Sequence, residues 1–144
     1  MTTPEAALRS FRFLGNEAIV HLDSSDTNGA FALLEMRSVP GAEPPMHIHE
    51  NEDEFFIVLD GRMKVICGGI ETELSVGESA VARRGTPHTF KILSPELRSL
   101  AILTPAGFEE FFRALANVER PSVKQIAHAA ARFGSRLNLD GTAL

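Results

Sequence analysis

Two histidines separated by a single residue, His47 and His49, constrain this chain more tightly than anything else in it. On an extended strand, residues two apart project to the same face, so both imidazoles aim into one space. Gly41 to Pro45 form the preceding loop, where two prolines restrict the approach to that strand. After a short acidic turn, Glu54 opens the β-prone run Phe55 to Leu59, and Asp60-Gly61 signals a hairpin. Two imidazoles and a carboxylate facing one space make half of a coordination shell for a transition metal. A third imidazole, His88, follows Gly85-Thr86-Pro87, where another strand should begin. Of the five histidines in the chain, three therefore stand where one ion could gather them.

Around this segment the pattern is one of short strands and frequent turns. Asn16 to Leu22 and Ala30 to Arg37 read as strands, separated by the turn formers Asp23 to Gly29. Arg62 to Cys67, Ile70 to Leu74, Ser79 to Ala82, His88 to Leu93 and Leu100 to Leu103 continue the series, with turns at Gly68-Gly69 and Val76-Gly77. Eight or nine strands at this spacing predict a mainly β sandwich or barrel of jelly-roll type. Residues 1 to 15 read as an arm. After Pro105 the period changes: Phe108, Phe111, Phe112 and Leu115 make one helical stripe. Pro121 is expected to open a second helix, with Val123, Ile126, Ala127 and Ala130 on one face and Gly134 ending it. Leu137 to Leu144 read as a tail.

The spacing Gly41, five residues, His47-x-His49, four residues, Glu54, six residues, Gly61 resembles the first motif of the cupins at every position. A second stretch, Gly77, Gly85 and His88, resembles their second motif, with Arg83 in place of a proline and Ile92 in place of an asparagine. The likeness runs from about Ala30 to Leu115 and is nearest to small single-domain cupins of the quercetin-dioxygenase-like kind. It implies one domain over residues 1–144. That domain would be a double-stranded β-helix barrel over about 16–104, with a C-terminal helical segment over about 107–134 packed outside it. It also implies that Glu54 can act as a catalytic base towards an acidic substrate hydroxyl, as the matching glutamate does in flavonol-cleaving cupins.

Composition narrows the function. At 144 residues the chain has length for one core, and 44% apolar with 23% charged residues is ordinary for a globular protein. A net charge of −5 without any Lys/Arg-rich run is unfavourable for nucleic acid. No 18 consecutive residues are apolar, so no membrane partner is expected. The single cysteine, Cys67, and an N-terminus without a signal-like apolar stretch suit a cytoplasmic protein. All ten aromatic residues are phenylalanine, so neither a tyrosine general acid nor a Cys–Tyr crosslink can form.

The expected cofactor is one divalent transition metal (Fe, Mn, Ni, Cu, Co or Zn) held by His47, His49, Glu54 and His88. Phe56 and Phe90 each lie two residues beyond a ligand and so line the same pocket; Phe31 and Phe108 are further candidates for its wall. The leading reading is a dioxygenase acting on a small enolic or phenolic compound. The alternatives are a metal-dependent isomerase or lyase on a sugar or keto acid, and a non-enzymatic small-molecule-binding cupin. Glu50, Glu52 and Asp53 read as a solvated loop, His21 and His128 as surface histidines, and Arg37 as a salt-bridged surface arginine. Finally, Phe55, Ile57 and Leu59 point away from the Glu54 face, which calls for cover by the helices or by a second subunit in a homodimer.

Overall fold

The computed structural model describes residues 9–139 apart from 14, 117 and 119. Ten strands come before the C-terminal helical segment: β1 Ser10–Phe13, β2 Asn16–Leu22, β3 Ala32–Ser38, β4 His47–His49, β5 Asp53–Asp60, β6 Met63–Cys67, β7 Ile70–Leu74, β8 Ser79–Ala82, β9 His88–Ile92 and β10 Leu97–Thr104. A short helix, α1 (Ser24–Thr27), interrupts the run between β2 and β3. Then come α2 (Glu110–Leu115), α3 (Val123–Arg132) and a last strand, β11 (Ser135–Leu137). The strands form two antiparallel sheets, ordered β1-β2-β3-β10-β5-β8 and β11-β4-β9-β6-β7. This is the mainly β, double-stranded β-helix architecture that the strand cadence and the resemblance to the cupins together lead one to expect.

Turn chemistry sets the connections. Gly61 closes the β5–β6 hairpin at φ +87°, and a Cβ there would collide with the Glu96 carbonyl and the Ser94 hydroxyl. Only glycine satisfies both demands. The Asp23–Gly29 stretch is not a plain loop: Asp23 caps α1 by accepting from the backbone of Ser25 and Asp26. The expected arm also needs correction, because β1 pairs with β2 from Ser10↔Ile19 to Phe13↔Asn16. Residues 1–8 lie outside the described residues.

The inner face of the six-stranded sheet is divided. Over β5 it faces the second sheet, where Phe56, Val58 and Leu97 pack with Met63, Val65, Leu74 and Ile92. Over β2, β3 and β10 it faces the helices, where Ala18, Val20, Leu34, Ala101 and Leu103 pack with Phe108, Phe111, Phe112, Leu115, Ala129 and Ala130. Cross-strand partners share a face, and Ala101 lies opposite both Phe56 and Leu34, so the two clusters sit on the same side of one sheet.

The helical segment therefore does not pack on the outside of the barrel as the sequence reading expects. Its phenylalanine stripe seeks the largest apolar surface available, which is the inner face that the narrower second sheet leaves uncovered. Pro121 lies one residue before the Ser122 N-cap rather than inside α3, and Gly134 follows the last turn at φ +78°. Leu137 belongs to β11, not to a tail. On the outer face Phe55 is 38% exposed, and the helices give it no cover.

Candidate metal centre

The site is assembled across the two sheets. His47 and His49 sit on β4, and β4 pairs with β9 so that His47 lies opposite His88. Alternation along the strand places both β4 imidazoles on the inner side, and the pairing adds the His88 imidazole to the same face. Glu54 comes from β5 in the facing sheet, opposite Leu103 on β10. The three imidazoles are buried, at 8%, 3% and 1% exposure for His47, His49 and His88. One donor atom from each of the four residues lies within 4.8 Å of every other.

Hydrogen bonds fix which nitrogen faces the centre. His47 Nδ1 donates to the Pro45 carbonyl at 2.8 Å, and His88 Nδ1 to the Thr86 carbonyl at 2.9 Å. A carbonyl can only accept, so the proton stands on Nδ1 and Nε2 turns inward. The prolines of the approach loop thus have a second use: Pro45 presents the carbonyl that orients His47. Glu54 Oε2 lies 3.1 Å from His49 Nε2 and 3.2 Å from His88 Nε2.

The charges follow from these contacts. Burial alone would raise the Glu54 carboxyl, but hydrogen bonds from His49 and His88 outweigh it and hold the group well below the usual carboxylate range. His88 shows the reciprocal effect: burial pulls it down, yet the bond and charge of Glu54 leave it raised. His47 is pushed down to about 4, by burial first and then by the neighbouring His88. The donor set fits a divalent cation. Donors held at about 2.0–2.2 Å by one ion stand slightly over 4 Å apart across it. Only small shifts separate the observed cluster from such a shell, and a cation would take the place of the protons now shared with Glu54.

Beside the cluster lies a cavity of about 430 Å³. Phe56 and Phe90 line it, as do Phe108, Phe111 and Phe112 from the helical segment; Phe31 is not part of its wall. Phe108 meets the His49 ring edge-on at 4.5 Å between centroids. Among the described residues, no lysine or arginine lines this cavity.

Other residues fall into place around it. Glu52 corrects the reading of a solvated acidic turn: it is 3% exposed, and burial raises its carboxyl. Glu50 is indeed at the surface, paired with Arg136, and Asp53 accepts from the Arg84 backbone at 2.9 Å. Arg37 bonds Glu35 at 2.9 Å, and His21 bonds the same carboxylate at 3.0 Å while remaining 43% exposed. His128 is exposed. Sequence reasoning missed Ser135, which is 1% exposed, lines the cavity and lies opposite His49 in the β11–β4 pairing. Nothing local in Phe133-Gly134-Ser135 signals that strand; its register depends on β4, far back in the chain.

Comparison with known proteins matches the cupin domain family model to residues 34–103. Quercetin 2,3-dioxygenase of Bacillus subtilis (strain 168) is 28% identical over 108 residues, which is 75% of this chain but 32% of that enzyme. The chain thus spans about a third of the length of this relative. An RmlC-like cupin from Shewanella frigidimarina NCIMB 400 superposes with a TM-score of 0.60 at 17% identity, covering 74% of this chain and 90% of the other. KdgF from Halomonas sp. gives a TM-score of 0.57 at 23% identity, covering 63% and 79%. No helix among the described residues is long and apolar enough to cross a membrane.

Proposed function

The chain belongs to the cupin superfamily, and from that premise we propose that it is a mononuclear metal-dependent dioxygenase acting on a small enolic or phenolic compound. The observation that carries this reading is the chemistry of the cavity: phenylalanine walls, no cationic residue among the described lining, and three of the four metal-type donors, His47, His49 and Glu54, in its wall. A sugar phosphate or a keto acid brings an anion that such a wall would leave unpaired. A flat, neutral, oxygen-bearing ring matches the wall along its faces and the donor cluster at its edge. The 28% identity to a quercetin dioxygenase supports the same class.

In this reading His47, His49, Glu54 and His88 hold the ion. When bound, a divalent transition metal supplies Lewis acidity and a place for substrate and dioxygen to meet. The protein does the rest. The Pro45 and Thr86 carbonyls keep two imidazole rings in register. Phe56 and Phe90 exclude water and orient the ring of the substrate. Glu54, the catalytic residue, accepts the proton of the acidic substrate hydroxyl at a carboxylate oxygen already surrounded by imidazoles.

Dioxygen consumption tests the proposal. Protein loaded with each candidate metal in turn is incubated with quercetin and simpler enolic or phenolic compounds in an oxygen electrode. Stoichiometric uptake with loss of the substrate chromophore is expected. Turnover that proceeds equally well without oxygen would assign the isomerase or lyase class instead. Binding without turnover would leave a carrier.

A homodimer is part of the same proposal. On the outer face of the six-stranded sheet, Leu33, Ile102, Phe55 and Val81 stand in one cross-strand row over four strands. Phe55 and Val81 are 38% and 40% exposed, and a two-fold partner would remove this row from water. Light scattering at micromolar concentration should return twice the mass of the chain; a single-chain mass defeats the pairing.

A further inference from the structure

Two of the three imidazoles have their outer nitrogen satisfied by a backbone carbonyl. His49 is the exception. Its Nδ1 is buried and has no hydrogen-bond partner, and it faces Glu52 Oε2 at 3.6 Å, an atom equally buried and equally without a partner. The separation is beyond a hydrogen bond, but a movement of about half an ångström would close it. Two polar atoms in residues that are each 3% exposed, each open towards the other, are costly to leave unpaired.

The surroundings hold both groups in place. Residues 50–52 are the whole connection between β4, which carries His49 in one sheet, and β5, which carries Glu54 in the other. That connection is tied down by Glu50 N donating to the Gly134 carbonyl at 2.8 Å. Gly85 N donates to the His49 carbonyl at 2.8 Å, and Phe108 closes on the ring from another side. These contacts hold the His49 backbone and pack one side of its ring, and a small rotation of that ring would bring Nδ1 and Oε2 together.

We propose that Glu52 is the positioning residue of His49: its carboxylate accepts the Nδ1 proton and so turns the Nε2 lone pair into the metal centre. This rests on the reading that the four donors hold a divalent ion. Once Nε2 gives its lone pair to a cation, the imidazole keeps its proton on Nδ1, and the group facing that proton is Glu52. A carboxylate in this position fixes the tautomer and makes the ring a better donor. The asymmetry has a chemical consequence: His47 and His88 are oriented by neutral carbonyls, whereas His49 is oriented by a charge.

The test is a titration of metal-free protein with Co²⁺, followed by the visible absorption of the bound ion, alongside thermal unfolding of the same metal-free samples. Glu52→Leu removes the acceptor and fills the space with apolar atoms. Glu52→Gln keeps an acceptor oxygen. For Glu52→Leu the Co²⁺ Kd is expected to rise about 10- to 100-fold, while the metal-free melting temperature stays level or rises because an unpaired carboxylate has gone. Glu52→Gln should recover most of the affinity. Wild-type affinity in Glu52→Leu overturns the inference, and so does a drop in affinity that Glu52→Gln fails to rescue and that tracks a lower melting temperature. If the unmodified protein takes up no Co²⁺ or any other divalent ion, the metal reading falls and this pairing falls with it. Equal binding by wild type and Glu52→Leu sinks the pairing alone.

Discussion

The six-stranded sheet carries two glutamates that look alike until their partners are compared. Glu35 on β3 and Glu54 on β5 both have nearly buried side chains, at 5% and 13% exposure, and both are held in a low-pKa state by hydrogen bonds. Glu35 points outward and is surrounded by Arg98, Arg37 and His21 at 2.8, 2.9 and 3.0 Å. Glu54 points inward and, among the described residues, its ion-pair partners are imidazole nitrogens, those of His49 and His88. A guanidinium cannot give up its proton or offer a lone pair, so two of the Glu35 contacts are permanent. An imidazole can do both, so the Glu54 contacts are exchangeable for a cation. Burial and charge do not separate the carboxylate held by arginines from the one proposed to react. The chemistry of what holds it does.

The largest expected effect lies on the inner side. His88→Ala should weaken divalent metal binding by more than about 100-fold, since losing a donor costs more than losing the group that orients one. Elemental analysis after metal loading reads it, and unchanged content would break the four-donor assignment. On the outer side, Glu35→Ala removes the carboxylate that Arg98 and Arg37 share and leaves the two arginines as cross-strand neighbours, with Asp60 still attracting Arg98. It should lower unfolding stability by about 2–3 kcal/mol, less than for a fully buried pair because both arginines are half-exposed. Glu54→Gln in metal-free protein should cost less, about 1 kcal/mol, because neutral imidazoles can still bond the amide. Urea titrations that reverse this order would undo the contrast between the two carboxylates.

Acidification probes the outer carboxylate a second way, with an effect smaller than its removal. The Arg98 hydrogen bond, more than any other contact, holds Glu35 down to about 2 from an ordinary 4.5. Its folded value lies below its unfolded one, so its contribution is complete above the ordinary value and drains away as pH falls through 4.5 towards 2. The loss should be on the order of 1–2 kcal/mol. Urea midpoints measured from pH 6 to 2 should therefore fall more steeply for wild type than for Glu35→Gln; parallel curves would remove Glu35 from the account. Smallest of all is His21→Ala. With 43% of its side chain exposed, the histidine should contribute under about 0.5 kcal/mol at neutral pH.

Much of the site could be read from the sequence because it depends on local alternation. His47 and His49 share a face on any strand, and Phe56 follows Glu54 onto the same side by the same rule. The hairpin at Gly61 and the end of α3 at Gly134 were equally local. What was hidden depends on distant register. Ser135 reaches the cavity only because β11 pairs with β4, and Glu52 is buried only because the turn that carries it lies between two sheets. The direction in which the phenylalanine stripe of α2 would pack was hidden for a similar reason. A helical period shows that a face is apolar, not which of two uncovered surfaces will receive it.

The pairing of β11 with β4 also imposes an order on assembly. The strand bearing two of the four donors has β9 on one side and β11 on the other, and contacts there join distant stretches of chain, such as Arg136 and Glu50, 86 residues apart. During synthesis His47 and His49 emerge early, yet their strand keeps an open edge until residues up to 137 have been made. An ion captured before then would meet donors without their β11 neighbour and without the wall that α2 and α3 build. The chain thus delays completion of this corner, and on the proposed reading metal uptake would belong to the final stage of folding.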